Sequence, residues 1–294
     1  MADAPTQNPG AVIRNNWLAI AKGTKGNVDE HRTMLVAAGV AFYCLLALFP
    51  AITSLLAISG LVVDPDRVLS MLARLEGVVP SQALGIIQDQ ASEVASGNSG
   101  GLGLAAAVGL IIAIYSASKG VGSLIQGMNI AYEETEARGV IALTLTKLAL
   151  TILIIIGIVL GLVVTLILPV LLSFLPATPF IETIIKVSGW VILLVMTLVG
   201  LALLYRIGPS RPSAPFKWVT PGAVVAATVW IVGSAGFAFY VENFGSYNES
   251  FGTLAGAVVL LLWLWLSALA VLLGAEMNAT TEKRSSQHTR AEQA

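Results

Sequence analysis

Six long apolar runs, separated by short polar stretches, dominate the pattern of hydrophobic and polar positions along the chain. Each run approaches or exceeds the roughly 20 residues that a helix needs to cross the hydrocarbon core of a bilayer. The runs are apolar around the whole helix, which is typical of membrane spans and not of surface helices in soluble proteins. The predicted spans are 34–63, 100–118 with a continuation to about 132, 140–172, 184–205, 220–241 and 254–274.

Polar segments flank and interrupt these spans. Residues 1–32 form a polar N-terminal arm, 33–280 a transmembrane domain, and 281–294 a tail expected to be disordered. Residues 64–99 carry apolar side chains on one face of two successive helical patterns, which predicts an amphipathic helical pair on the outer side. This pair is either a structural cap or a lid that contacts lipid or substrate. The predicted fold class is therefore all-α: a polytopic bundle of six transmembrane helices plus this extracytoplasmic amphipathic pair.

Prolines mark two local features of the spans. Pro50 lies inside the first span and is expected to kink it, because proline removes a backbone donor and its ring clashes with the preceding turn. Thr220 and Pro221 open the fifth span as an N-cap followed by proline at the first helical position.

Composition supports the assignment to the membrane. Hydrophobic residues make up 56% of the chain and charged residues 11%, against roughly 45–50% and about 25% in soluble domains. The net charge of −1 gives no indication of nucleic acid as a partner. The single cysteine, Cys44, has no second cysteine in the chain with which to form a disulfide.

The distribution of Lys and Arg predicts the orientation, because basic loops favour the cytoplasmic side. Of the 16 such residues, only Arg67, Arg74 and Lys186 fall on the outer side. The others lie in the two terminal segments and in the second-to-third and fourth-to-fifth connections: Arg14, Lys22, Lys25, Arg32, Lys119, Arg138, Lys147, Arg206, Arg211, Lys217, Lys283, Arg284 and Arg290. With six spans, both termini are predicted in the cytoplasm.

Enzyme chemistry finds little support in the sequence. The two histidines, His31 and His288, lie in the polar arm and the tail. No His, Cys or carboxylate group has metal-ligand spacing, and there is no nucleophile elbow or Ser–His–Asp set. We therefore predict no catalytic residues, no metal and no cofactor.

Polar residues near or inside the spans are the best candidates for function, because lipid does not satisfy them. Lys119 and Glu276 are expected near the cytoplasmic boundary, facing a shared polar vestibule where they pair. Asn129 and Tyr132 would extend the face of Lys119, and Asn278 lies close to Glu276. The alternative is an ordinary interfacial lysine and a glutamate at a helix end.

The connection between the fifth and sixth spans, residues 242–253, is short, polar and aromatic. Its candidate substrate-path residues are Glu242, Asn243, Tyr247 and Asn248. Glycines in the segment permit tight turns. A satisfied structural turn and a substrate gate are both compatible with this pattern.

Several of these segments resemble those of one family. The segments that carry the resemblance are 38–43 (AGVAFY), 46–50 (LALFP), 115–120 (YSASKG), 129–132 (NIAY), 221–222 (PG), 243–248 (NFGSYN), 251–254 (FGTL) and 274–279 (GAEMNA). In order and spacing, over about residues 14–280, they resemble the YihY/BrkB family of bacterial inner-membrane proteins.

The resemblance implies a six-helix protein of the bacterial inner membrane. The family once carried the label ribonuclease BN, which is held to be a misassignment. Members are linked to serum resistance in a pathogen and to export of lipopolysaccharide precursors. The expected function is thus a transporter or exporter of envelope lipids or small solutes, without an ATPase of its own. The alternative is a non-transporting scaffold that organises the envelope. Expected partners are the lipid bilayer, that substrate and a second copy of the chain.

Overall fold

The structure, a computed structural model, describes residues 9–62, 102–167, 179–211, 220–244 and 248–292. Within these ranges the secondary structure consists of helices, with no strand. In chain order the helices are α1 (Pro9–Glu30), α2 (Thr33–Val62), α3 (Leu102–Ala131), α4 (Val140–Leu162), α5 (Pro179–Ile207), α6 (Pro221–Phe244) and α7 (Asn248–Glu292). A π-helical turn, Val163–Ile167, continues α4.

Six of these helices, α2 to α7, are long and apolar enough to cross a membrane. They correspond one to one to the six predicted spans, so the predicted all-α polytopic fold is confirmed. Helix α6 begins at Pro221, and the Thr220 hydroxyl accepts a hydrogen bond from the backbone N–H of Ala223 at 3.1 Å. The predicted N-cap of the fifth span is therefore confirmed.

Three details of the sequence interpretation change or stay open. The N-terminal arm contains helix α1, and α7 continues to Glu292 where the sequence predicts a disordered tail. Helix α2 runs on through Pro50, and the kink there stays a prediction. The predicted amphipathic pair at 64–99 lies outside the described residues.

The chain divides into two compact units. The first comprises the described residues within Met1–Met34, Ile125–Val229 and Ala270–Ala294. Its α6 and α7 cross closely, since a Cβ atom on Gly222 would collide with the carbonyl oxygen of Gly274. Only glycine leaves room for two backbones at such a distance.

The second unit comprises the described residues within Leu35–Leu124 and Trp230–Leu269. Helices α2 and α3 pack closely, since a Cβ atom on Gly109 would lie 3.1 Å from the carbonyl oxygen of Pro50. Between α6 and α7, the indole of Trp263 donates to the Ser234 hydroxyl at 3.3 Å. This tryptophan, in the middle of a span, therefore packs against a neighbouring helix.

Candidate functional site

A buried carboxylate, that of Glu276 on α7, lies among the polar residues of the first unit. Its side chain is 1% exposed. The Oε1 atom accepts a hydrogen bond from the Thr33 hydroxyl at 3.1 Å and lies 2.9 Å from Nδ1 of His31. Among the described residues, no donor reaches Oε2. A buried carboxylate oxygen without a donor is costly, so this group is poised to take a further partner.

The turn between α1 and α2 brings His31 and Thr33 to the same carboxylate. The backbone N–H of His31 donates to the carbonyl of Asn27, and that of Arg32 to the carbonyl of Asp29. Arg32 has a φ of 51°, a left-handed conformation that non-glycine residues adopt rarely. This reversal ends α1 and allows α2 to begin at Thr33. The side chains of His31 and Thr33 then both contact Glu276 on α7.

Hydrogen bonds also hold α1 against the far part of α7. The Thr280 hydroxyl donates to the backbone carbonyl of Glu276 at 2.8 Å and accepts from the amide of Asn27 at 3.3 Å. Further along, the guanidinium of Arg284 donates to the carbonyl of Ala19 at 3.0 Å. These contacts support a helical conformation in the polar end of α7.

Asn278 ties the start of α6 to α7. Its Oδ1 accepts the backbone N–H of Gly222 at 2.8 Å, and its Nδ2 donates to the Thr220 hydroxyl at 3.0 Å. The first N–H groups of a helix lack partners within it, so this side chain satisfies one of them. The hydrogen bond from Gly222 to Asn278 depends on the close crossing of α6 and α7 at Gly222 and Gly274.

Tyr132 directly follows α3, and its ring lies against the guanidinium of Arg211. The guanidinium carbon of Arg211 is 4.2 Å from the centre of its ring, a cation–π geometry, and Arg211 also pairs with Glu282. Burial, together with the negative charge of Glu282, raises the pKa of the Tyr132 hydroxyl well above its ordinary value. The phenol therefore stays protonated at physiological pH.

The segment after α3 is fastened to the end of α5 by the pair Glu136 and Arg138, here called the arginine latch. The guanidinium donates from Nε and from a terminal nitrogen to the two oxygens of Glu136, both at 2.7 Å. It also donates to the carbonyls of Ile207 at 3.2 Å and Gly208 at 2.8 Å. Carbonyls at a helix end need such donors from outside the helix.

Asn129, which is 6% exposed, connects the arginine latch to α3. Its Nδ2 donates to Glu136 at 3.0 Å, and its Oδ1 accepts the backbone N–H of Ser210 at 2.8 Å. The Ser210 hydroxyl in turn accepts the N–H of Ala137 at 3.2 Å. The buried amide thus has partners on both sides, which is the pattern of a structural residue.

The arginine latch predicts a pH-dependent contribution to stability. The hydrogen bonds from Arg138 lower the pKa of Glu136 from 4.5 to about 2. A carboxyl with a depressed native pKa stabilises the fold above its unfolded pKa, and this stabilisation is lost as the pH falls from about 4.5 towards about 2. Because solvent screens a pair near the surface, we expect Glu136→Gln to lower stability by only about 1 kcal/mol at neutral pH. This deficit should shrink at about pH 3.

Thermal unfolding of the variant and the wild type in detergent, at both pH values, measures this deficit. Glu134→Gln is the matched control, because Glu134 is exposed and its substitution should be neutral at either pH. An equal deficit of Glu136→Gln at the two pH values would rule out an ionic arginine latch.

The predicted pairing of Lys119 with Glu276 stays a prediction, and the structure gives each residue other contacts. Glu276 is bonded to His31 and Thr33, and the Nζ of Lys119 lies 5.0 Å from the centre of the Tyr115 ring. Lys119 also falls near the middle of α3 and not at its end.

Asn129 and Tyr132 do not lie on the same face of α3 as Lys119. Ten residues at 100° each place Asn129 about 80° away around the helix, and it is buried while Lys119 is exposed. Tyr132 follows the end of α3 at Ala131 and is covered by Arg211. Spacings of ten and thirteen residues therefore do not keep these side chains on one face.

Lys119 belongs instead to a set of polar side chains along one face of α3, here called the α3 polar stripe: Tyr115, Lys119, Ser123 and Gln126. The first three follow one another at intervals of four residues, and Gln126 continues the same face. Tyr115 is 62% exposed, Lys119 and Gln126 are exposed, and Ser123 is half-buried. Buried residues of α3 such as Met128 lie on the opposite side of the helix.

Sequence reasoning missed several of these residues. The sequence places His31 in a polar arm without a role, and its partner is 245 positions away, so no local pattern links the two. Ser123 and Gln126 could have been found from the helical spacing that starts at Tyr115.

The loop candidates stay predictions. The structure describes only the helical backbone at Glu242, Asn243 and Asn248, and Tyr247 lies outside the described residues. In the part of the chain that the structure describes, no group of three or more His, Cys, Asp or Glu side chains could hold a metal ion.

Comparisons with known proteins agree with this architecture. The chain is 30% identical over 259 residues to a protein of Bacillus subtilis (strain 168) named as ribonuclease-like, YfkH, a match that covers 86% of this chain and 92% of that protein. It is 40% identical over 85 residues to a UPF0761 membrane protein of Tolumonas auensis, and 52% identical over 58 residues to one of Aeromonas salmonicida. These two matches cover 29% and 20% of this chain, and 28% and 20% of the relatives' lengths. No solved structure matches the chain.

The fold, with six helices able to span a bilayer, defines a multi-pass membrane protein, which therefore contacts the lipid bilayer. The family described as "Virulence factor BrkB" matches residues 24–294. The chain belongs to this family, as its resemblance to the YihY/BrkB proteins predicted.

Proposed function

We propose that this protein is an inner-membrane transporter or exporter that moves envelope lipids or small solutes, without an ATPase of its own. The observation that carries the proposal is the α3 polar stripe. Most exposed residues of a spanning helix face hydrocarbon and are apolar, as Leu104 and Ile111 are on α3. An exposed ammonium near the middle of such a helix is costly if it faces lipid tails. The stripe is therefore better explained by a polar path.

The chemistry of the stripe favours a lipid with an anionic headgroup as the substrate. Lys119 is a compact positive charge that suits a phosphate oxygen, and the Tyr115 ring beneath it holds the ammonium in place. The Gln126 amide offers further hydrogen-bonding groups along the same face. The Ser123 hydroxyl donates to the carbonyl of Lys119 at 3.3 Å, and its oxygen remains an acceptor. An exposed stripe lets the headgroup move along the helix while the acyl chains stay in the bilayer.

The orientation belongs to the same proposal. We propose that both termini lie in the cytoplasm of a bacterial cell, because most Lys and Arg residues fall in the terminal segments and in the connections predicted on the same side. The contact of Arg284 with Ala19 supports a common side, since it joins the end of α7 to α1. We propose no enzymatic activity and no nucleic-acid partner for this chain. The ribonuclease-like name of YfkH is therefore not transferred to it.

A membrane scaffold is the second candidate. It is favoured by the broad exposed apolar surface of α4, where Ile141 is 79% exposed, if a second copy of the chain covers that surface. In a scaffold, the α3 polar stripe would contact a neighbouring protein and carry no substrate.

Flux in proteoliposomes distinguishes the two functions. The full chain is reconstituted in vesicles of phosphatidylethanolamine and phosphatidylglycerol that contain tail-labelled fluorescent phosphatidylglycerol, and an impermeant quencher reports movement between leaflets. Glycerol-driven swelling of the same vesicles reports solute flux. Transport predicts that one probe moves faster than in protein-free vesicles. Absence of flux for both probes, together with cross-linked dimers, would favour the scaffold.

A further inference from the structure

We propose that His31 and Glu276 form a proton-binding site that couples the proposed transport to a proton gradient. The inference rests on the proposed function for its coupling role, but the site itself can be tested without transport. It starts from the Glu276 carboxylate, which is 1% exposed and has one oxygen without a donor among the described residues. Protonation removes the charge that makes such an oxygen costly to bury.

The imidazole of His31 provides the route for the proton. Its Nδ1 is 2.9 Å from Oε1 of Glu276, and the side chain is 14% exposed. It therefore touches the buried carboxylate and is itself still partly accessible. Histidine is the side chain whose ordinary pKa allows it to gain and lose protons between about pH 5 and pH 8.

The proton balance of the step is simple. A proton from water binds the Nε2 atom of neutral His31, and the proton on Nδ1 passes to the carboxylate of Glu276. His31 is then neutral again, with its hydrogen on Nε2, and Glu276 is a neutral carboxylic acid. One proton has entered, and only N–H and O–H bonds have formed or broken.

Charged groups near this pair come from the segment after α3 and from α7 itself. The hydrogen bond from Lys283 at 2.8 Å, and its charge, lower the pKa of Glu133, with a smaller contribution from His31. His31 thus interacts electrostatically with Glu133, which is exposed, and lies against Glu276, which is buried. Helix α2 contributes Thr33, which is not titratable. Other charged and titratable groups on these elements include Asp29, Glu30 and Arg32 beside His31, Tyr132 after α3, Arg211 after α5, and Glu282 on α7.

The site is well placed to affect helix packing. Glu276 lies two residues from Gly274, where α7 crosses α6, and two residues from Asn278, which holds the first turn of α6. A change in the charge of Glu276 therefore acts on the turn of α7 that contacts α6. This is the local change that a coupled transporter needs between its loaded and unloaded states.

Infrared difference spectroscopy of the reconstituted full chain tests the site directly. Acidification from about pH 8 to about pH 5 should produce a carboxylic-acid carbonyl band. This band should be absent in Glu276→Gln and unchanged in Glu134→Gln, the exposed control. In His31→Gln the midpoint of the band should shift. If Glu276→Gln does not fold, Thr33→Val still tests the site. It removes one hydrogen-bond donor to Oε1 of Glu276 and should raise the midpoint pH of the band.

The flux assay with fluorescent phosphatidylglycerol separates failure of this inference from failure of the transport function. An imposed pH gradient should accelerate flux, an equal sodium gradient should not, and Glu276→Gln should lose the acceleration. Flux that follows sodium, or that keeps its pH-gradient dependence in Glu276→Gln, overturns the proton site and leaves transport intact. A titrating Glu276 band without flux of any probe supports the site and contradicts transport. A band that does not change over this pH range overturns the inference.

Discussion

Gly222→Ala is expected to destabilise the protein by about 3 kcal/mol or more, because a methyl group at this position has nowhere to go. The added Cβ would collide with the carbonyl oxygen of Gly274 and lie against the amide of Asn278. The first obstacle is backbone, which moves only if the two helices separate. Separation would also lengthen the hydrogen bond from the Gly222 N–H to Asn278, now 2.8 Å.

Thermal unfolding in detergent, with the yield of monodisperse protein, measures this effect. Gly236→Ala is the matched control: it lies on the same helix, with nothing within 4 Å of the added Cβ. The control should change stability by no more than about 1 kcal/mol, and in the stabilising direction, since alanine favours helix over glycine. Equal unfolding temperatures for the two variants would contradict the close crossing of α6 and α7.

Asn278→Ala should cost about 2–3 kcal/mol, the second largest effect that we expect from a single substitution. The side chain is buried and makes two hydrogen bonds, one of them to a backbone N–H that has no partner within its own helix. Without it, the Gly222 N–H remains buried and unsatisfied, and a small cavity forms beside it.

Thr220→Ala provides the comparison for this variant. It removes the other partner of Asn278 and the N-cap of α6, which is worth about 1 kcal/mol. We expect the double variant to be less destabilised than the sum of the two single changes, because they share one hydrogen bond. A loss in Asn278→Ala no larger than that in Thr220→Ala would show that the Gly222 contact contributes little.

The spans could be predicted because hydrophobic length is a local property of the sequence. The Thr220 N-cap was equally accessible, since a cap is defined by neighbouring residues. The helical end of α7 was not, because its polar residues resemble a solvated tail. Its helix is supported by contacts with α1, such as that of Asn27 with Thr280.

The candidate site was predicted only in part, for a similar reason. Glu276 and Asn278 stood out as polar residues beside apolar spans, and both are buried. Their partners, His31 and Gly222, come from other helices, and spacing along one helix gives no information about such pairs. The α3 polar stripe was within reach, because its members share one helix and follow its period.

The most direct test of the proposed transport is the rate of phosphatidylglycerol flux in Lys119→Gln compared with Lys22→Gln. Both variants lose one exposed ammonium, but Lys119 lies in a spanning helix and Lys22 on α1. A charge-assisted contact with a phosphate is worth about 1.5–3 kcal/mol, so we expect a flux at least about tenfold lower in Lys119→Gln. Lys22→Gln should match the wild type. Equal flux in all three proteins would contradict a substrate path along α3.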